Sequence, residues 1–222
     1  IVPYSSLVKI HFNSSIVNTF AVLNFKIKKS LRKVFFFDKM QSSTLNTTTS
    51  DKEKMVEDVY CEGISMYFTG QIDHPFKCDG LLNTKTEAGK MLKLIMEFKY
   101  DKDFKSRIAR AKVIVQVLYY LKRFENEGYI LPNVILVGDV NECFVFHSNS
   151  IIKYLDENVD WTLSPSNSAE VNPQLVAKIA NDDEFNPFIY NIDENFSFSY
   201  VAEKIKDLAD NIQRYVHVSE HN

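Results

Sequence analysis

The sequence predicts an α/β fold with a mixed central sheet flanked by helices and an extra C-terminal α/β tail. Three observations predict it. Strand-like segments fall on both sides of one long apolar helical pattern. That pattern, 106–126, sits between the strand-like runs 91–100 and 133–138, as a crossover between sheet strands would. The chain also has 222 residues, 45% hydrophobic and 25% charged, with only six Gly and six Pro, so it can bury a core without staples.

The elements follow in order. Residues 1–48 read as an N-terminal extension. It holds a basic cluster (Lys26, Lys28, Lys29, Arg32, Lys33), which reads as a solvated face, and Val34-Phe35-Phe36-Phe37, which reads as a buried strand or core segment. The polar stretch 41–50 is a loop and a boundary. Ser50-Asp51-Lys52-Glu53 has the spacing of a capped helix start. The helix runs to about Glu62, with Met55, Val56, Val59 and Tyr60 on its apolar face. Strands are expected at 65–69, 76–82 and 91–100, with 84–90 as the hairpin loop between the last two. Apolar residues surround most of the 106–126 helix, which predicts burial on more than one side. Strands 133–138 and 143–147 follow, joined by Asp139-Val140-Asn141-Glu142. This core, 49–150, is followed by an appendage, 151–222, that packs on it or leads to a further domain. The appendage holds a loop at 164–168, a short helix at 174–180, a strand at 188–192 and an amphipathic helix at 200–216.

The net charge of −3 excludes a protein that grips nucleic acid by bulk charge alone, so any such contact must come from local patches or bound cations. The three cysteines, Cys61, Cys78 and Cys143, form no CxxC pair. That argues against disulfide and zinc frameworks and fits a reducing cytoplasm. Cys78 and Cys143 read as buried core thiols. No apolar run is long enough to span a membrane, so no membrane partner is expected. The first residues lack the charged and apolar regions of a secretion signal, and the start at Ile-Val-Pro reads as a piece of a longer polypeptide.

The chemistry concentrates in Leu94-Ile95-Met96-Glu97-Phe98-Lys99. On a strand, Leu94, Met96 and Phe98 point one way and Ile95, Glu97 and Lys99 the other. A charge buried in so apolar a strand is costly unless it is paired or binds a metal. Asp79 lies 18 residues earlier on the preceding strand, and a hairpin brings it beside Glu97. Two carboxylates, the backbone carbonyl of Phe98 and water make an oxygen-rich site suited to Mg²⁺ or Mn²⁺. Lys99 can reach an attacking water and a phosphate. On the long helix, Gln116 and Tyr120 are four apart and share a face.

The pattern D-x₁₇-E-x-K followed by a helix bearing Q-x₃-Y resembles the PD-(D/E)XK nuclease family. The likeness covers roughly residues 52–147. Cys78 stands where the family usually has the Pro before the Asp, with Pro75 nearby. The resemblance implies a restriction-endonuclease-like core and a metal-dependent endonuclease acting on DNA, with Asp79, Glu97 and Lys99 as its catalytic centre. It implies a role for Gln116 and Tyr120 in organising the site and the DNA backbone. It also implies an acidic metal ligand on the first helix, for which Glu57 is the first choice and Glu53 the second. Arg107, Arg110 and Lys112, near the site, are candidates for phosphate contact. In overall organisation the chain is similar to nuclease modules of bacterial restriction–modification polypeptides, with a methyltransferase downstream. Cutting both strands would call for a homodimer.

Other patterns have plainer readings. Asp103-Phe104-Lys105 repeats the acid-x-Lys spacing in polar surroundings. His217-Val218-Ser219-Glu220-His221 matches a zinc-peptidase pattern but has no further ligand downstream. Asp73 and His74 fit metal ligands or, equally, a turn before Pro75, and Trp161 reads as packing of the tail onto the core. A second class of function is a catalytically inactive module of the same fold that binds DNA or a partner protein.

Overall fold

A computed structural model describes residues 48–211. The N-terminal extension, with its basic cluster and expected strand, lies outside these residues, as does the stretch holding the 217–221 pattern. Helix α1 (Thr49–Ser65) opens the fold and is followed by β1 (Ile72–Asp73), a 3-10 turn (Pro75–Lys77), β2 (Gly80–Lys85) and β3 (Met91–Phe98). Helix α2 (Arg107–Asn126) crosses to β4 (Val134–Gly138), which turns into β5 (Glu142–His147). Short helices α3 (Asn149–Ile152) and α4 (Ser168–Val171) precede α5 (Pro173–Ala180), β6 (Phe188–Asn191) and α6 (Phe198–Asp210). The sheet is mixed and runs in the order β1-β2-β3-β4-β5-β6. Only β3 and β4 pair in parallel, as their connection through α2 requires. The C-terminal segment is built into the sheet, because β6 pairs antiparallel with β5.

Alternation along the strands assigns two faces. Leu81, Ile95, Ile135, Val137, Phe144 and Phe146 pack toward α2 and α5. Phe98 faces the other layer, where Tyr60 of α1 stacks on it at 4.8 Å and Phe198 of α6 meets Tyr60 edge-on at 5.4 Å. Helix α2 is buried almost continuously from Val113 to Leu121. The sheet covers one side and the C-terminal helices the other, with Trp161 against Tyr119 at 4.9 Å. Cys78 and Cys143 are free and buried.

Several expected boundaries are corrected. The first strand is not at 65–69. The helix continues to Ser65, and the strand is the short pair Ile72–Asp73. The helix is capped by Thr48 rather than Ser50 and begins at Thr49. Thr48 Oγ1 accepts from Asp51 N–H (3.2 Å) while Asp51 Oδ2 accepts from Thr48 N–H (3.0 Å). Asp51 thus takes the box position expected of Glu53. The strand expected at 76–82 starts only at Gly80, because Pro75–Lys77 forms a turn, and it extends to Lys85 and shortens the hairpin loop. Strand β3 ends at Phe98, although Lys99 N–H still donates to Gly138 O at 2.9 Å. Helix α6 starts two residues earlier than expected, and its expected end at 216 lies outside the described residues. Among the described residues no helix is long and apolar enough to cross a membrane.

Candidate metal-dependent active site

Asp79 and Glu97 meet at one end of the β2–β3 hairpin. The register pairs Gly80 with Met96, so the next step along the ladder sets Asp79 opposite Glu97. Asp79 Oδ2 accepts a hydrogen bond from Phe98 N–H at 2.6 Å. This fixes the first carboxylate to the backbone of the strand that carries the second.

Glu97 is 1% exposed and points toward α2. Its Oε1 accepts from Lys99 Nζ at 2.6 Å and from Gln116 Nε2 at 2.6 Å. Its Oε2 is buried and accepts no hydrogen bond. A buried carboxylate oxygen without a donor costs about 1–3 kcal/mol or more, and a cation would satisfy it. Burial pushes the Glu97 carboxyl up to about 8, against the pull of Lys99, with the Asp79 charge adding to the rise. Burial likewise pushes Asp79 up to about 6, opposed by the Phe98 N–H and Lys99. For Lys99, burial works downward, but the Glu97 and Asp79 charges outweigh it and hold the ammonium above the ordinary lysine range. The centre therefore holds more negative charge than one lysine neutralises comfortably.

The α2 pair acts on both sides of this centre. Gln116 Nε2 also lies 3.2 Å from Tyr120 Oη, and Tyr120 O–H donates to Lys77 O at 3.3 Å. Burial raises the Tyr120 hydroxyl, so it stays a neutral donor. The amide thus orients Glu97 while the phenol reaches the turn before Asp79.

The remaining candidates are placed less simply. Glu57 pairs with Lys54 at 2.5 Å and lies 3.8 Å from His74 Nδ1. Its charge is felt at Asp79. The charge of half-buried Glu53 is felt at Asp79, Glu97 and Lys99. No three His, Cys, Asp or Glu side chains among the described residues gather into a group able to hold a metal. The donors expected from the sequence are Asp79, Glu97, the Phe98 carbonyl and water. That set suits a hard cation such as Mg²⁺, which keeps several waters. Arg107 and Arg110 are committed internally. Arg107 donates to Asp183 Oδ1 (2.8 Å) and Asp182 O (2.7 Å), and Arg110 donates to the carbonyl of Phe104. Lys112 is exposed.

Asp139 was not anticipated as part of the site's frame. It is fully buried, and its carboxylate accepts from the N–H groups of Lys102 (2.8 Å), Asn141 (2.7 Å) and Glu142 (2.8 Å). It ties the segment leaving Lys99 to the β4–β5 turn. The Asp-x-Asn-Glu run between two strands is the only trace of this in the sequence.

Comparison with family models, with curated proteins and with solved structures gives no match in any of the three.

Proposed function

We propose that Asp79, Glu97 and Lys99 form the centre of a divalent-metal-dependent endonuclease that hydrolyses phosphodiester bonds in DNA. The observation that carries this reading is Glu97, whose Oε1 is shared by Lys99 and Gln116 while the buried Oε2 has no donor beside Asp79. The order of helix, three antiparallel strands, crossover helix and parallel strand supports a restriction-endonuclease-like core.

Asp79 and Glu97 would hold Mg²⁺ or Mn²⁺, with the Phe98 carbonyl as a third oxygen. Bound metal would polarise a phosphoryl oxygen and acidify a water. Lys99, kept protonated by the two carboxylates, would orient the attacking water and meet the negative charge that develops on the phosphate. Gln116 keeps Glu97 from turning away, and Tyr120 fixes the turn that leads to Asp79. By organisation the domain suits a bacterial restriction–modification enzyme with a downstream methyltransferase, and cutting both strands would take two copies.

The test is cleavage of supercoiled DNA by the purified chain with Mg²⁺ or Mn²⁺, paired with calorimetric Mn²⁺ binding. Asp79→Ala should abolish both cleavage and binding, and Lys99→Ala should abolish cleavage while leaving binding. Equal cutting by the parent and Lys99→Ala would sink the assignment. A second reading, an inactive module that binds DNA or a partner protein, is favoured by the internal commitments of Arg107 and Arg110. Metal stabilisation that disappears in Glu97→Ala would count against it.

A further inference from the structure

Two consecutive residues before Asp79 occupy the left-handed region, Phe76 at φ 55° and Lys77 at φ 66°. Neither is Gly or Asn, the residues that tolerate this conformation. Such backbone persists only where the surroundings over-determine it.

Here the surroundings are the next rungs of α2. Tyr120 O–H donates to Lys77 O at 3.3 Å, and the Phe124 ring meets the Phe76 ring edge-on at 5.0 Å and 88°. Gln116, Tyr120 and Phe124 are spaced four apart, so they form one stripe along the helix. The first rung holds Glu97, the second a carbonyl two residues before Asp79, and the third the ring beside that carbonyl. The turn is closed by Cys78 N–H donating to Pro75 O at 3.0 Å, and Asp79 then docks on Phe98 N–H.

We propose that the left-handed Phe76–Lys77 pair is the positioning element for Asp79 and that Phe124 is a third positioning residue beside Gln116 and Tyr120. One helix stripe thereby aims both carboxylates. The inference rests on the metal-site reading above.

Lys77 is exposed, so substitutions there by Gly and Val differ chiefly in backbone preference. Lys77→Gly and Lys77→Val remove the same charge. Glycine accepts φ 66° freely, and a β-branched valine resists it. Mn²⁺ affinity of the full chain is measured by calorimetry at pH 8, with melting temperature alongside. The expected result is that Lys77→Val binds Mn²⁺ about tenfold more weakly than the parent, while Lys77→Gly stays within about twofold. Phe124→Leu, which keeps an apolar side chain but loses the edge-on ring, should also weaken binding several-fold. Equal Mn²⁺ affinity in the valine and glycine variants, whatever their melting temperatures, overturns the proposal. If the parent shows no Mn²⁺ binding that Asp79→Ala removes, the metal-site reading falls and this proposal with it.

Discussion

Glu97→Gln turns the electrostatics of the centre into a stability measurement. In the metal-free protein, burial pushes the Glu97 carboxyl from 4.5 up to about 8. A carboxyl whose folded pKa lies above its unfolded value takes up a proton on folding. Its stabilising contribution is complete below pH 4.5 and is lost as pH rises through about 8. At about 1.4 kcal/mol per pH unit, the loss is on the order of 5 kcal/mol. Asp79, pushed from 3.8 to about 6, loses on the order of 3 kcal/mol over a lower range. The groups interact, so the protons leave as steps of the pair rather than of single residues. Against a total stability of roughly 5–15 kcal/mol, this is a large part of the whole. Urea unfolding followed by circular dichroism, in chelator between pH 5 and 9, should show the parent weakening from pH 5 to about 8 and levelling off above that. Glu97→Gln cannot ionise there and should stay nearly flat above pH 6.5, so the two curves separate at high pH. Adding Mn²⁺ at pH 8.5 should restore the parent and leave the variant unchanged, because binding needs the deprotonated carboxylates. A parent whose stability is flat or rising from pH 6.5 to 9, or a variant with the same slope, refutes the reasoning.

Gln116→Leu removes one of the two donors to Glu97 Oε1 and should weaken Mn²⁺ binding by roughly 10- to 100-fold in calorimetry. Gly138→Ala puts a Cβ 2.6 Å from the Tyr60 ring, behind the strand pair that carries Lys99; it should cost about 1–3 kcal/mol in urea unfolding. Tyr60→Phe loses the buried bond to Asp139 O (2.9 Å) and should cost about 1 kcal/mol by the same assay. Thr48→Ala breaks the capping box of α1 and should also cost about 1 kcal/mol, with Mn²⁺ affinity unchanged.

The sequence carried the centre of the fold well because its signals there are local and periodic. Period-two alternation put Glu97 and Ile95 on one face and Phe98 on the other, and that face of β3 meets α2 through Glu97 and Gln116. The apolar girth of 106–126 announced a helix covered on both sides, and the structure covers it. The losses were of another kind. Ser65–Thr69 looked strand-like, but α1 carries on through Ser65, and the residues that pair with β2 are Ile72 and Asp73. Phe76 and Lys77 give no hint of a left-handed turn, since the conformation is imposed by Tyr120 and Phe124 more than forty residues away. Arg107 seemed placed for phosphate, but its partners, Asp182 and Asp183, arrive from the C-terminal segment. Contacts set by distant chain are not written in local pattern.

A plain structural ion pair is the strongest rival account of Glu97 and Lys99, and the surroundings argue against it. A buried pair gains little over well-packed apolar residues of similar volume unless every remaining lone pair is satisfied. Glu97 Oε2 is not satisfied. A pair kept for stability would also not need a second, half-buried carboxylate, yet Asp79 stands opposite, with desolvation pushing its pKa up to about 6. Nor would it need two non-glycine residues in left-handed backbone immediately upstream. Each feature works against folding, and all three fall between residues 76 and 99 at one end of a single hairpin. Independent destabilising features scattered by chance would not converge there. A shared cause, the proposed task of holding two carboxylates and a lysine around one ligand, would account for all three together.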